Sequence, residues 1–109
     1  MELDLDNLPS DIAVVLADFG KAWNSTRTPY FRITEAGNRV ACIEHVGLPG
    51  DHYGVAWETL WRFEAAGIVE WRPVPEFQRG NGLIGTAVLT EFGIQQAKQA
   101  ARKDTRIGF

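Results

Sequence analysis

The stretch from Gly54 to Trp71 constrains this chain most, because an amphipathic run there stops at Gly67 and passes without a spacer into the β-prone Ile68-Val69-Glu70-Trp71. Ala56, Leu60 and Phe63 recur at helical spacing with Trp57 close to the same side, which predicts a helix over 54–66 with one buried face. Gly67 is its expected stop, since glycine enters the left-handed geometry of a helix C-cap without a Cβ clash. A helix joined so tightly to a strand makes the chain α+β.

Upstream, Ser10 is a candidate N-cap, and Asp11 sits favourably against the positive end of the helix dipole. Ile12, Val15, Leu16, Phe19 and Trp23 then make the buried face of a first helix that ends at Asn24-Ser25-Thr26 and Pro29. Tyr30-Phe31-Arg32-Ile33 reads as a short strand. Thr34 caps a predicted second helix from Glu35, with Ala36, Val40, Ala41 and Ile43 on its apolar side and Gly37 weakening it by ~1 kcal/mol relative to alanine. Gly47-Leu48-Pro49-Gly50-Asp51-His52 is dense in turn formers. Beyond the third helix the strand from Ile68 reaches Val74, where Pro73 and Pro75 restrict it to an edge or loop position. Gly80-Asn81-Gly82 signals a turn, Leu83 to Leu89 returns as a strand, and Thr90-Glu91 opens a last helix carrying Phe92, Ile94, Ala97 and Ala101. The predicted order is helix, strand, helix, helix, strand, strand, helix, in a single domain over residues 1–109.

A chain of 109 residues, 45% apolar and 23% charged, supports one hydrophobic core. The lone Cys42 forms no internal disulfide and no apolar run approaches the ~20 residues of a membrane span, so no membrane association and a cytoplasmic location are the expectations. The net charge of −3 is unevenly spread. Glu2, Asp4, Asp6, Asp11 and Asp18 make the start acidic, Lys21, Arg27, Arg32 and Arg39 make 21–39 basic, and Glu44, Asp51, Glu58, Glu64 and Glu70 against Arg62 make 44–70 acidic.

Chemistry is sparse. Cys42, Glu44, His45, Asp51 and His52 are metal-capable types near one another, but they lack the paired spacings of a tetrahedral zinc site, which predicts a buried thiol with two loop histidines. Ser10 and Ser25 lie outside any nucleophile-elbow pattern, and the spacing in Gly80-Asn81-Gly82-Leu83-Ile84-Gly85 is wrong for a dinucleotide fingerprint. No catalytic residue, metal, cofactor or small-molecule substrate is expected.

Gly54, Trp57, Leu60, Arg62, Phe63, Glu64, Gly67, Ile68 and Val69, followed at a wing-sized separation by Ala87-Val88-Leu89-Thr90-Glu91-Phe92-Gly93, resemble the PadR/MarR-like transcriptional regulators over about residues 54–97. The resemblance implies a winged helix: a three-helix core with a two- to three-stranded antiparallel sheet or wing, and a C-terminal helix. It also implies a small regulator that binds double-stranded DNA, as a homodimer through its first and last helices, with the third helix in the major groove and the wing near the backbone. On that reading Thr59 and Arg62 act from the recognition helix, Gln78 and Arg79 from the wing tip, and Arg27, Arg32 and Arg39 form a positive flank.

The third helix opens a second reading. Base readout favours Arg, Lys, Asn, Gln, Ser or Thr, whereas the exposed side here offers Val55, Glu58, Thr59, Trp61 and Arg62. Tryptophan and arginine are enriched among interface anchors. Glu58, Trp61, Arg62 and Glu64 then form a protein-binding surface on a non-catalytic domain. Such a domain grips a basic partner or imitates the charge of nucleic acid, in the manner of phage-type accessory proteins such as anti-CRISPR-like inhibitors. Packing of Trp61 under the wing or the first helix is the structural alternative. Arginine placement separates the functional readings: a DNA binder gathers four or more of Arg27, Arg32, Arg39, Arg62, Arg72 and Arg79 on one face with the third helix, and a protein binder scatters them.

Overall fold

The computed structural model describes residues 3–75 and 82–104. Three helices, α1 (Ser10–Thr26), α2 (Trp57–Ala65) and α3 (Glu91–Lys103), accompany five strands. These are β1 (Tyr30–Gly37), β2 (Val40–His45), β3 (His52–Ala56), β4 (Val69–Pro73) and β5 (Leu83–Leu89). The strands form one sheet in the order β3-β2-β1-β5-β4, antiparallel throughout.

The helix expected from Glu35 is instead a β-hairpin. Phe31 and Ile33 on β1, and Ala41, Ile43 and His45 on β2, are buried at every second position, the period of a half-covered strand. The chain reverses between Gly37 at φ 142° and Arg39 at φ 62°. The third helix also starts later than expected, at Trp57, because Gly54, Val55 and Ala56 pair with Cys42, Ala41 and Val40 as an edge strand. A three-helix core with an additional C-terminal helix and a two- to three-stranded wing is therefore replaced, among the described residues, by three helices on a five-stranded sheet.

One sheet face carries the core. Phe31, Ile33, Ile43, Val55, Val69, Ala87 and Leu89 join Ile12, Leu16 and Phe19 of α1 and Leu60 and Phe63 of α2. Phe19 lies 4.3 Å from Phe31 and 5.7 Å from Phe63 between ring centroids. Helices α1 and α3 pack on each other within the chain, so the apolar faces expected to form a dimer meet intramolecularly. That approach needs a missing side chain at Gly20, where a Cβ would collide with the Ala97 carbonyl.

The joint between α2 and β4 is held by Gly67 in the left-handed region at φ 77°. Thr90 ties it to α3. Its hydroxyl donates to the Gly67 carbonyl and accepts from the Gly93 amide at 2.9 Å, capping the helix.

The opposite sheet face has a polar row legible only from the register. His52 pairs with Glu44, Glu44 with Arg32, Arg32 with Thr86 and Thr86 with Arg72, so these five side chains cross the whole sheet on one side. Among the described residues no helix is long and apolar enough to cross a membrane.

Candidate functional site

The β1–β2 hairpin and α2 meet at the Trp57 amide, which donates to the Arg39 carbonyl at 3.0 Å and thereby satisfies one of the unpaired donors of a helix start. The helix puts Trp57 and Trp61 four residues apart on one face. Their rings stack at 5.4 Å and 22°. Trp71, on β4, stands across both at 83° and 79°, with centroids 5.9 Å and 5.6 Å away. Gly85 gives that indole its room, since a Cβ there would press into the ring at 2.5 Å. Trp57 and Trp71 are half-buried, while Trp61 remains 45% exposed. Trp61 therefore leans on Trp71 of β4, a strand of the expected wing, without being buried there.

The tryptophan ridge divides two shallow depressions. Arg39, Ala56, Glu58, Arg62 and Ala65 line one with Trp57 and Trp61. Glu35, Trp71, Pro73 and Ile84 line the other with the same two indoles. Glu58 and Arg62 form an ion pair at 2.7 Å across one helical turn. An exposed pair of this kind is worth about 0.3–0.5 kcal/mol, but it orders both groups at the rim. Among the described residues Glu35, on β1, and Arg39, in the turn of the hairpin, enter no salt bridge.

Among the described residues the expected nucleic-acid set does not converge. Arg27 occupies the left-handed C-cap of α1, its guanidinium 5.9 Å from the Trp23 ring. Arg32 lies on the open sheet face, and Arg72 shares that face while pairing with Glu70 at 3.5 Å. Arg39 and Arg62 alone of these border α2. Thr59 is half-buried and Glu64 is exposed on α2. Gln78 and Arg79 lie outside the described residues.

The sequence singles out Trp61 but not Trp71, which the Gly67 turn folds back beside it, nor Glu35, which the β1–β2 hairpin brings from a distance in sequence. The cysteine and histidine expectation also changes. Cys42 is half-buried and in register with Thr34 and Gly54 on the open face, whereas His45 is the buried member. The His45 Nε2–H donates to the Thr28 carbonyl at 2.6 Å and its Nδ1 accepts the Gly47 amide at 3.1 Å, which consumes both ring nitrogens structurally. Nearby, burial raises the Tyr53 phenol above the usual tyrosine range, and the Asp18 and Asp51 carboxylates push it the same way.

Family models, curated proteins and solved structures yield no match to this chain.

Proposed function

We propose that this domain is a non-catalytic protein-binding module that seats a partner on Trp57, Trp61 and Trp71, with Glu58, Arg62 and Glu64 at the rim. The exposure of Trp61 inside an ordered three-indole cluster carries the reading. Covering a large apolar side chain gains about 1.5–3 kcal/mol, and pre-ordered aromatic anchors lose little conformational freedom on binding. Interface energy concentrates on residues of this type.

The arginine placement supports the same reading, since among the described residues only Arg39 and Arg62 of that set border the helix. A gripping surface is favoured over charge mimicry of nucleic acid. Among the described residues Glu44 and Glu70 lie on the open sheet face, whereas Glu58, paired with Arg62, and Glu64 lie on α2, so these four carboxylates do not form one phosphate-like track.

A second reading, the winged-helix DNA-binding regulator, draws support from the run α2, Gly67, β4, β5, α3, which follows the order of the resembling phrases. It is the weaker one, because strands occupy 30–45 where the helix preceding a recognition helix would stand.

Affinity isolation from the cell of origin, with the wild type beside Trp61→Ala, tests the proposal. The expected result is a protein recovered by the wild type and lost with the variant. Recovery of the same proteins by both would overturn it, as would a low-salt mobility shift of duplex DNA whose affinity falls steeply with added salt.

A further inference from the structure

We infer that the depression between Glu35 and the three indoles is a receptor for a lysine side chain of the protein partner. The inference rests on the protein-binding reading and assigns the chemistry that the surface selects.

The geometry provides for each part of that side chain. Trp57 and Trp61 present nearly parallel rings, and Trp71 stands almost perpendicular to them, so the three make a corner of aromatic surface. Ring faces attract cations through their quadrupole, and tryptophan does so best. Pro73 and Ile84 supply apolar wall in the same depression, suited to the four-carbon stem of a lysine. Glu35 supplies a carboxylate with no salt bridge among the described residues. Its backbone is fixed by pairing with Ala41 and by donation of the Glu35 amide to the Gly82 carbonyl at 3.1 Å, so the acid is held at the rim rather than carried on a loose loop.

Charge also sets which side of the ridge the cation takes. Arg62 lines the other depression but is paired with Glu58 there, so Arg39, which enters no salt bridge among the described residues, is the charge that disfavours a cation on that side. An ammonium is a compact point charge on a flexible four-carbon stem, so it can reach the Glu35 carboxylate while the stem lies along Pro73 and Ile84.

Titration of the full chain with acetyl-Gly-Gly-Lys-Gly-Gly-amide and with its norleucine counterpart, followed through the indole N–H signals, tests the inference. Norleucine keeps the stem and removes the charge. The lysine peptide is expected to shift the Trp57, Trp61 and Trp71 signals saturably and leave Trp23 in place, with affinity roughly threefold or more above that of the norleucine peptide. Glu35→Gln is expected to bring the lysine peptide down to the norleucine level in an otherwise unchanged spectrum. Equal binding of the two peptides, no saturable shift, or an unaltered lysine affinity in Glu35→Gln overturns the inference.

Partner isolation keeps this failure apart from failure of the reading beneath it. Loss of the partner with Trp61→Ala but full retention with Glu35→Gln sinks the lysine receptor alone. Retention with Trp61→Ala sinks the protein-binding reading, and the inference with it.

Discussion

Trp71 of β4 stands edge-on to Trp61 of α2, with ring centroids 5.6 Å apart and planes at 79°. The contact joins a helix and a strand that the glycine turn at Gly67 brings side by side, and it holds Trp61 in place without burying it. Order without burial is what the proposed partner contact requires of Trp61.

Trp61→Ala is expected to cost about 1–2 kcal/mol, the worth of its two aromatic contacts together with a part-buried ring. Phe63→Ala, two positions further along the same helix but fully buried, should cost about 3–5 kcal/mol. Urea denaturation of the two variants beside the wild type checks the contrast.

Gly93 sits where any Cβ would run into the Ile68 carbonyl. Gly93→Ala should therefore destabilise the domain by several kcal/mol, although alanine is the better helix former by about 1 kcal/mol. The sign of the change in thermal midpoint decides between packing and propensity.

The raised Tyr53 phenol makes stability fall in alkali. Below the unfolded-state value of about 10 both states keep the proton and the contribution is intact. Above it the unfolded chain releases a proton that the folded chain retains, so stability declines as pH rises towards the folded-state value, by at most about 1.4 kcal/mol per pH unit from this group. Tyr53→Phe should remove that component of the slope above pH 10, as measured by denaturant midpoints across the alkaline range.

Thr90 caps α3 and bonds back to Gly67 at once. Thr90→Ala should cost about 1–2 kcal/mol, with Thr90→Ser recovering most of it, in the same denaturation assay.

The elements legible in the sequence are those whose signals are local. The apolar face of α1, the run from Leu60 through Gly67 into β4, and the return strand from Leu83 follow from spacing within a few residues, whereas the face expected for α3 holds at Ala97 but not at Phe92, which is exposed. The hairpin of β1 and β2 was not legible, because Thr34-Glu35-Ala36 has the look of a capped helix start. Pairing of Val40, Ala41 and Cys42 with Ala56, Val55 and Gly54 overrides that local preference. The alternation of Phe31 and Ile33, then Ala41, Ile43 and His45, was the signal available. The site divides the same way. Trp57, Glu58, Trp61 and Arg62 are visible as one helix, whereas Trp71 meets them through the fold-back at Gly67 and Glu35 through the sheet.

A photo-crosslinking residue placed at Ala65, which borders the tryptophan ridge, and in a parallel variant at Arg32, on the open sheet face, tests the central claim most directly in the cell of origin. The account predicts a discrete protein adduct at position 65, suppressed by Trp61→Ala, and none at position 32. An adduct confined to position 32, or crosslinking of position 65 to DNA, would contradict it.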